Sequence, residues 1–290
     1  MNDYLLAAIL GIIEGLTEFL PVSSTAHLRI CQALLGINLA DGYWKMFSIV
    51  IQVGAILSLP AYFRRTIGEL LSHFPKGARG DRSALTHPLT LLLIAFLCTA
   101  IPTLLLTRWI GKNLESVVVM ASALVIGGVV MWLVDVLCEA GNRPHRTERV
   151  DETGLVQAVW IGLGQALSAI FPGTSRSMAT IAAGQLAGMS RPAALEFSFL
   201  LSIPTMVAAT GYDLLRFLLP GAEGSGLGSA PLDLHGTILL AIGGIVSFFV
   251  AYLSVAWFMR WVRNHGFAPF AIYRILAGAL LLFYSGRLGA

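Results

Sequence analysis

Two carboxylates lie close together near the start of an otherwise apolar chain. Glu14 and Glu18 are four residues apart, and on a helix this spacing puts both side chains on one face, about 5–6 Å apart at Cβ. Two carboxylates in an apolar setting would repel each other unless a cation neutralised them. Mg²⁺ typically binds one or two carboxylates together with phosphate oxygens and water. We therefore predict that Glu14 and Glu18 bind a divalent cation, Mg²⁺ or Ca²⁺. The alternative is that they snorkel to the membrane surface or bond to the backbone.

Hydroxyl and imidazole groups follow these acids after Pro21, which ends the first helix. Ser24 is a candidate nucleophile or a hydroxyl donor to phosphate, and simple N-capping is its alternative role. His27 lies three residues later, on the same helical face. Because a helix N-terminus disfavours the charged imidazolium, we expect His27 to be neutral, as a general base must be.

A second stretch, about 150 residues later, repeats this pattern. At an offset of 151, the pairs are Glu14 with Gln165, Pro21 with Pro172 and Ser24 with Ser175. Both proline turns lead into helices whose first N–H groups favour anions. Arg176 stands at the start of the second helix, and its planar fork suits bidentate contact with phosphate. A structural salt bridge to Glu18 is the alternative role for Arg176.

The composition indicates what must hold these groups. The 290 residues are 56% apolar and 12% charged, with a mean hydropathy of +0.77, whereas globular chains carry roughly 25% charged residues. Long apolar runs recur, so we predict an all-α polytopic membrane protein. The net charge of +3 is small and lies in loops, which argues against a nucleic-acid partner. Cys31, Cys98 and Cys138 lack metal-ligand spacing and are expected to be unpaired.

Two segments are broken by a proline turn into arms that are each too short or too polar to span about 30 Å of hydrocarbon comfortably. We predict that these segments, 4–36 and 154–188, are re-entrant helical hairpins. Full transmembrane spans are predicted at 46–63, 89–107, 116–137, 193–213, 237–259 and 268–285. The chain is thus one membrane domain, 1–290, made of a first repeat at about 1–137 and a second repeat at about 154–285.

Three spans in each half predict an inverted-topology repeat, with the hairpins entering from opposite faces and their turns meeting near the midplane. The charge distribution gives an orientation by the positive-inside rule. The loops assigned to the cytoplasm carry ten Lys and Arg residues: Arg64, Arg65, Lys76, Arg79, Arg82, Arg143, Arg146, Arg149, Arg260 and Arg263. The opposite side carries six: Arg29, Lys45, Arg108, Lys112, Arg216 and Arg287. Both termini and the Gly-rich loop 220–230 are then external.

Two further charged residues lie in predicted spans. Glu196 and Arg274 are predicted to form a buried pair that joins two helices and has a structural role.

The polar motifs together resemble those of the bacterial undecaprenyl-diphosphate phosphatases of the bacitracin-resistance type, over essentially the whole chain. The motifs are Glu14-x-x-x-Glu18, Pro21-Val22-Ser23-Ser24-Thr25-Ala26-His27 and Pro172-Gly173-Thr174-Ser175-Arg176-Ser177-x-x-Thr180. Met178 stands where this family often has Gly, so local packing is expected to differ there. The resemblance implies an integral membrane enzyme that removes the terminal phosphate of a polyprenyl diphosphate carrier. It also implies that the carrier returns to cell-wall synthesis and that the enzyme confers bacitracin resistance. A divalent-cation requirement and an active site opening to the periplasmic or outer face are also implied.

On this basis, Ser24 attacks the terminal phosphorus after activation by His27 or Glu18, or these groups activate water instead. The residues predicted to be catalytic are Ser24, His27, Glu18, Arg176 and Ser175. The residues predicted to bind substrate are Ser23, Thr25, Thr174, Ser177 and Thr180. The expected partners are the polyprenyl diphosphate and membrane lipids, and a homodimer is left open.

The rival function class is a transporter, such as a lipid-phosphate flippase, because inverted repeats with broken helices are typical of transporters. Binding alone needs cations and N–H groups, whereas this chain also has a base beside a hydroxyl. A structural membrane protein would leave the buried charges unexplained.

Overall fold

The computed structural model describes residues 2–37, 42–77, 80–106, 116–140, 147–218 and 233–285. These residues form eleven α-helices: α1 Asp3–Thr17, α2 Ser24–Leu34, α3 Gly42–Tyr62, α4 Arg64–Ser72, α5 Pro88–Leu105, α6 Val117–Ala140, α7 Leu155–Ile170, α8 Arg176–Leu186, α9 Arg191–Leu218, α10 Leu234–Trp261 and α11 Ala268–Ser285. A 3-10 turn at Val150–Glu152 and an isolated β-bridge between Thr147 and Met189 are the other regular features that these residues contain.

Six of these helices, α3, α5, α6, α9, α10 and α11, are long and apolar enough to cross a membrane. Each overlaps one predicted span, and the last prediction, 268–285, coincides with α11. The prediction of an all-α polytopic membrane protein is confirmed. The predicted hairpin 4–36 consists of α1 and α2, and the predicted hairpin 154–188 consists of α7 and α8. The inverted relation between the halves stays a prediction.

Part of the charge distribution used for orientation lies outside the described residues. This part comprises the basic residues Arg79, Arg108, Lys112, Arg143, Arg146 and Arg287. The Gly-rich loop 220–230 also lies outside the described residues.

The chain divides into two compact units. Unit 1 comprises Met1–Phe19, Ser24–Tyr62 and Ser202–Ala256, and unit 2 comprises Leu20–Ser23, Phe63–Leu201 and Trp257–Ala290. The turn Leu20–Ser23 therefore belongs to unit 2, although α1 and α2 on either side of it belong to unit 1. This division does not follow the two sequence repeats, and the single domain over 1–290 stays a prediction.

Close backbone packing organises unit 1. A Cβ atom on Gly11 would lie 2.6 Å from the Gly243 carbonyl oxygen, and one on Gly15 would lie 2.8 Å from the Ser247 carbonyl oxygen. Helix α1 therefore packs directly against the backbone of α10, as small residues allow in membrane proteins. Glu14 occupies the same face of α1, since it lies between these glycines at helical spacing.

A buried carboxylate links four parts of unit 2. Asp135 of α6 accepts hydrogen bonds from Arg191 Nε at 2.7 Å and Nη2 at 3.0 Å, and from Gln185 Nε2 at 3.1 Å. Its other contact is the backbone N–H of Phe267 at 2.9 Å. Because the carboxylate is both paired and fully hydrogen-bonded, it holds together α6, α8, the start of α9 and the residue before α11.

A buried histidine caps the second span. Nδ1 of His87 accepts the backbone N–H of Leu89 at 3.2 Å, so Nε2 carries the proton of the neutral ring. The imidazole is fully buried against the Phe74 ring. Burial, with smaller contributions from Arg82 and His73, lowers the pKa of His87 below its ordinary 6.5.

We predict that this histidine makes the fold sensitive to acid. The unfolded chain binds a proton at position 87 below about pH 6.5 while the folded protein resists it, so stability is lost as the pH falls through this range. His87→Asn keeps a capping acceptor without titrating. The midpoint of thermal unfolding in detergent, measured from pH 7.5 to 5, should fall less in the variant than in the wild type. Parallel profiles would contradict this assignment.

Candidate active site

The two acidic residues predicted to bind a cation are both buried. Glu14 is 1% exposed and Glu18 is 8% exposed. Although α1 ends at Thr17, Glu18 keeps helical torsions, and its N–H donates to the Glu14 carbonyl at 2.9 Å. Because both side chains lie inside the protein, the alternative that they snorkel to the membrane surface is wrong.

A hydrogen bond closes the first turn. Ser24 is the first residue of α2, and its hydroxyl donates to Oε2 of Glu18 at 2.5 Å. Short bonds of this kind are typical of a hydroxyl on a carboxylate. The contact joins the candidate nucleophile to a group that can accept its proton. His27, the other candidate base, lies half-buried one turn further along α2.

Hydroxyl groups lie where the second turn enters α8. Ser175 is the N-cap of α8, and its Oγ accepts the backbone N–H of Met178 at 3.4 Å. The Ser175 and Ser177 hydroxyls lie 3.1 Å apart. Arg176 is the first residue of α8 and is half-buried, as is Thr174 before it. The helix start that was predicted to bind phosphate therefore exists.

The two turns share an unusual backbone torsion but differ in length. Ser23 and Ser175, each directly before its helix, have φ values of +74° and +69°. The second turn has one more residue after its proline, and Gly173 accommodates this with a φ of +94°. The sequence offset of 151 therefore becomes 152 after the turn. Ser24 and Arg176 each occupy the first position of the helix that follows the turn. The predicted pairing of Ser24 with Ser175 is therefore wrong in the structure.

The turn Leu20–Ser23 is fixed inside unit 2 by a guanidinium. Nη1 of Arg274 donates to the Pro21 carbonyl at 3.0 Å. Nη2 donates to the carbonyls of Gly173 at 3.0 Å and Thr174 at 2.9 Å, and to Ala123 of α6 at 3.2 Å. The backbones of the two turns therefore share one side chain. This residue was not among the predicted site residues.

The predicted pair between Glu196 and Arg274 is wrong. The hydrogen bonds of Arg274 go to main-chain oxygens, and Glu196 instead lines a polar cavity of about 190 Å³ in unit 2, beside Arg149 and His87. The residues lining this cavity include none of the predicted site residues. The available sequence signal was an arginine inside an apolar span, and the sequence does not show that the two turns lie beside it.

The remaining predicted ligands differ in exposure. Thr25 is exposed, whereas Ser23 and Ser177 are buried. Ser177 Oγ donates to the Leu20 carbonyl at 3.1 Å. Thr180 is fully buried, and its hydroxyl lies 2.6 Å from that of Ser198 on α9. Ser177 and Thr180 therefore brace the second hairpin in this structure, and a role in binding substrate stays a prediction for both.

A sequence model of the family described as "Bacitracin resistance protein BacA" matches residues 7–280. The chain belongs to this family. The match includes both hairpins and all six spans almost completely, so the family extends over the groups described above.

Curated relatives cover nearly the whole chain. An undecaprenyl-diphosphatase of Koribacter versatilis (strain Ellin345) is 65% identical over 283 residues, which is 97% of this chain and 98% of the relative. An undecaprenyl-diphosphatase of Rhizobium etli (strain CIAT 652) is 42% identical over 282 residues, covering 97% and 96%. One of Caldanaerobacter subterraneus subsp. tengcongensis is 38% identical over 277 residues, covering 96% and 94%.

The candidate donors for a divalent ion are two carboxylates. The described residues contain no group of three or more His, Cys, Asp or Glu side chains placed to hold a metal. Glu14 and Glu18 alone provide two carboxylates. Mg²⁺ commonly binds through one or two carboxylates and completes its shell with water and substrate phosphate. The two acids therefore fit an ion that binds together with a phosphate substrate.

We predict that Gly173→Ala damages the second turn specifically. An alanine at this position would have to adopt a positive φ, and its Cβ would also collide with the Met120 carbonyl oxygen. Gly36→Ala is the matched control, since its φ is +71° but nothing lies within 4 Å of the added atom. The midpoint of thermal unfolding should fall clearly further for Gly173→Ala than for Gly36→Ala. Equal losses would mean that the Met120 contact is unimportant.

Proposed function

We propose that this chain hydrolyses undecaprenyl diphosphate, or a related polyprenyl diphosphate, to the monophosphate and inorganic phosphate. Membership of the bacitracin resistance family and the relatives named undecaprenyl-diphosphatase support this activity. The observation that carries the proposal is the 2.5 Å hydrogen bond from Ser24 to Glu18. A hydroxyl held against a buried carboxylate suits chemistry on a phosphate and is not needed for binding alone.

The reaction proposed for this pair is a nucleophilic displacement. The Ser24 oxygen forms a bond to the terminal phosphorus while the bond from that phosphorus to the bridging oxygen breaks, and Glu18 takes the hydroxyl proton. The lipid monophosphate leaves, and water then hydrolyses the phosphoserine. In the alternative, Glu18 or His27 activates water for direct attack. The hydrogen bond favours Glu18 as the base for Ser24.

A divalent cation, Mg²⁺ or Ca²⁺, is proposed to bind at Glu14 and Glu18. When bound, it would neutralise phosphate charge, which is the main requirement of phosphoryl transfer. Arg176 is proposed to contribute a second positive charge, and Ser175 a hydroxyl to the phosphate. The further proposed phosphate ligands are Ser23, Thr25, Thr174, Ser177 and Thr180.

The proposed location is the bacterial cytoplasmic membrane, with the site open to the periplasmic or outer face. The six apolar helices support a multi-pass protein, and the excess of Lys and Arg in one set of loops supports the orientation. The apolar tail of the substrate stays in the bilayer while the diphosphate reaches the polar turns.

Phosphate release by the purified protein in detergent tests the activity. Release should require a divalent cation and stop with a chelator. Ser24→Ala and Glu18→Gln should each lower kcat by about 10²–10⁴-fold, as expected for the loss of a nucleophile or a general base. Ser72→Ala, an exposed serine on α4, should stay within about twofold of the wild type. No release with any divalent ion would favour a lipid-phosphate transporter, because detergent removes the two compartments.

Acid quenching during turnover separates the two chemical routes. With substrate labelled in its terminal phosphate, we expect a labelled peptide that contains Ser24 and that disappears in Ser24→Ala. Direct attack by water predicts an unlabelled protein and near-normal turnover in Ser24→Ala.

A further inference from the structure

Arg274 lies where a charge is expensive. It is fully buried on α11, in a helix apolar enough to span a membrane. A buried guanidinium normally requires an acidic partner or a full set of acceptors. Here Nη1 and Nη2 donate to four main-chain oxygens, whereas Nε has no acceptor among the described residues. The position therefore has a specific use for a planar group with several donors.

The acceptors show what that use is. Three of the four carbonyls, those of Pro21, Gly173 and Thr174, belong to the non-helical turns of the two hairpins. Backbone oxygens in a turn have no helical N–H partner, and lipid supplies none. The fourth carbonyl, of Ala123, belongs to α6. One side chain thus ties both turns to each other and to a neighbouring helix.

Two glycines of α6 leave room for the Arg274 side chain. A Cβ on Gly127 would collide with Nη2 of Arg274 and would lie 2.8 Å from Cε of Met178. A Cβ on the next residue, Gly128, would lie 3.1 Å from Cβ of Arg274. The guanidinium therefore lies over a stretch of α6 without side chains, and it has little freedom to move.

We propose that Arg274 is a positioning residue that fixes the backbone of both turns for catalysis. The proposal rests on the proposed phosphatase function, since one turn leads directly into Ser24 and the other into Arg176. Misplacement of reacting groups by about 1 Å can cost about 10²-fold in rate. A lysine at this position would keep the charge but lose the fork that reaches several carbonyls.

Three variants, each in a background without Cys31, Cys98 and Cys138, test this role. Arg274→Met should lower kcat by about 100-fold with a smaller change in KM, and Arg274→Lys should recover part of that loss. Arg191→Met is the matched control, because it removes another arginine network of unit 2, the one on Asp135. It should lower the unfolding temperature while kcat stays within about threefold of the wild type.

A distance measurement tests whether Arg274 holds the two turns together, without relying on activity. Spin labels at Leu20 and Phe171, one in each turn, should give a narrow distance distribution in the wild type and in Arg191→Met, and a broad one in Arg274→Met. A narrow distribution with normal kcat in Arg274→Met overturns the proposal. The proposal is also overturned if Arg274→Met and Arg191→Met lose kcat in the same proportion to their fall in unfolding temperature.

Two further outcomes are also decisive. If Arg274→Met does not fold, Gly127→Ala displaces the guanidinium without removing it, and it should broaden the distribution and lower kcat. An unchanged Gly127→Ala protein would overturn the proposal. If the wild type releases no phosphate, the phosphatase function fails, whereas the distance distributions still decide whether Arg274 holds the turns.

Discussion

The interruption of helices by non-helical turns is the constraint on which the described structure depends. Between α1 and α2, and between α7 and α8, peptide groups lose their helical partners in a chain with six apolar spans. Where water is scarce, each unsatisfied group costs several kcal/mol. The turns persist because side chains satisfy them: Arg274 takes carbonyls of both, and Ser177 takes that of Leu20. Some polar residues of this protein therefore satisfy the hydrogen-bonding groups of the backbone, in addition to those proposed to act on the substrate.

Much of the architecture follows from local properties of the sequence. Hydropathy alone locates the six spans, because each is an apolar run of 18 residues or more, long enough to cross a membrane. Proline and the following hydroxyl residues locate both turns, because Pro21 and Pro172 cannot continue a helix. The placement of Glu14 and Glu18 on one buried face follows from their spacing and from the neighbouring glycines. These features depend on residues close together in sequence.

The partners of Arg274 could not be found in this way. Sequence reasoning pairs a buried charge with the opposite charge, and Glu196 was the available acid. The true acceptors are carbonyl oxygens, which every residue carries and which no residue type reveals. The positive φ values of Ser23 and Ser175 were equally hidden, since serine rarely adopts them. Non-local backbone contacts and strained torsions decide this site, and neither has a distinct residue pattern.

The two turns share a strained serine but place different side chains at the start of the following helix. A positive φ in a residue other than glycine costs about 1–3 kcal/mol and tends to persist at functional sites. Both turns keep this positive φ at the residue directly before the helix. The extra Gly173 changes which side chain occupies the first helical position: it is the hydroxyl of Ser24 in one hairpin and the guanidinium of Arg176 in the other. In the predicted repeat, a one-residue difference in turn length therefore separates the proposed nucleophile from the proposed phosphate-binding cation. Both hairpins still share the positive φ before the helix and the hydrogen bonds from Arg274 to their turns.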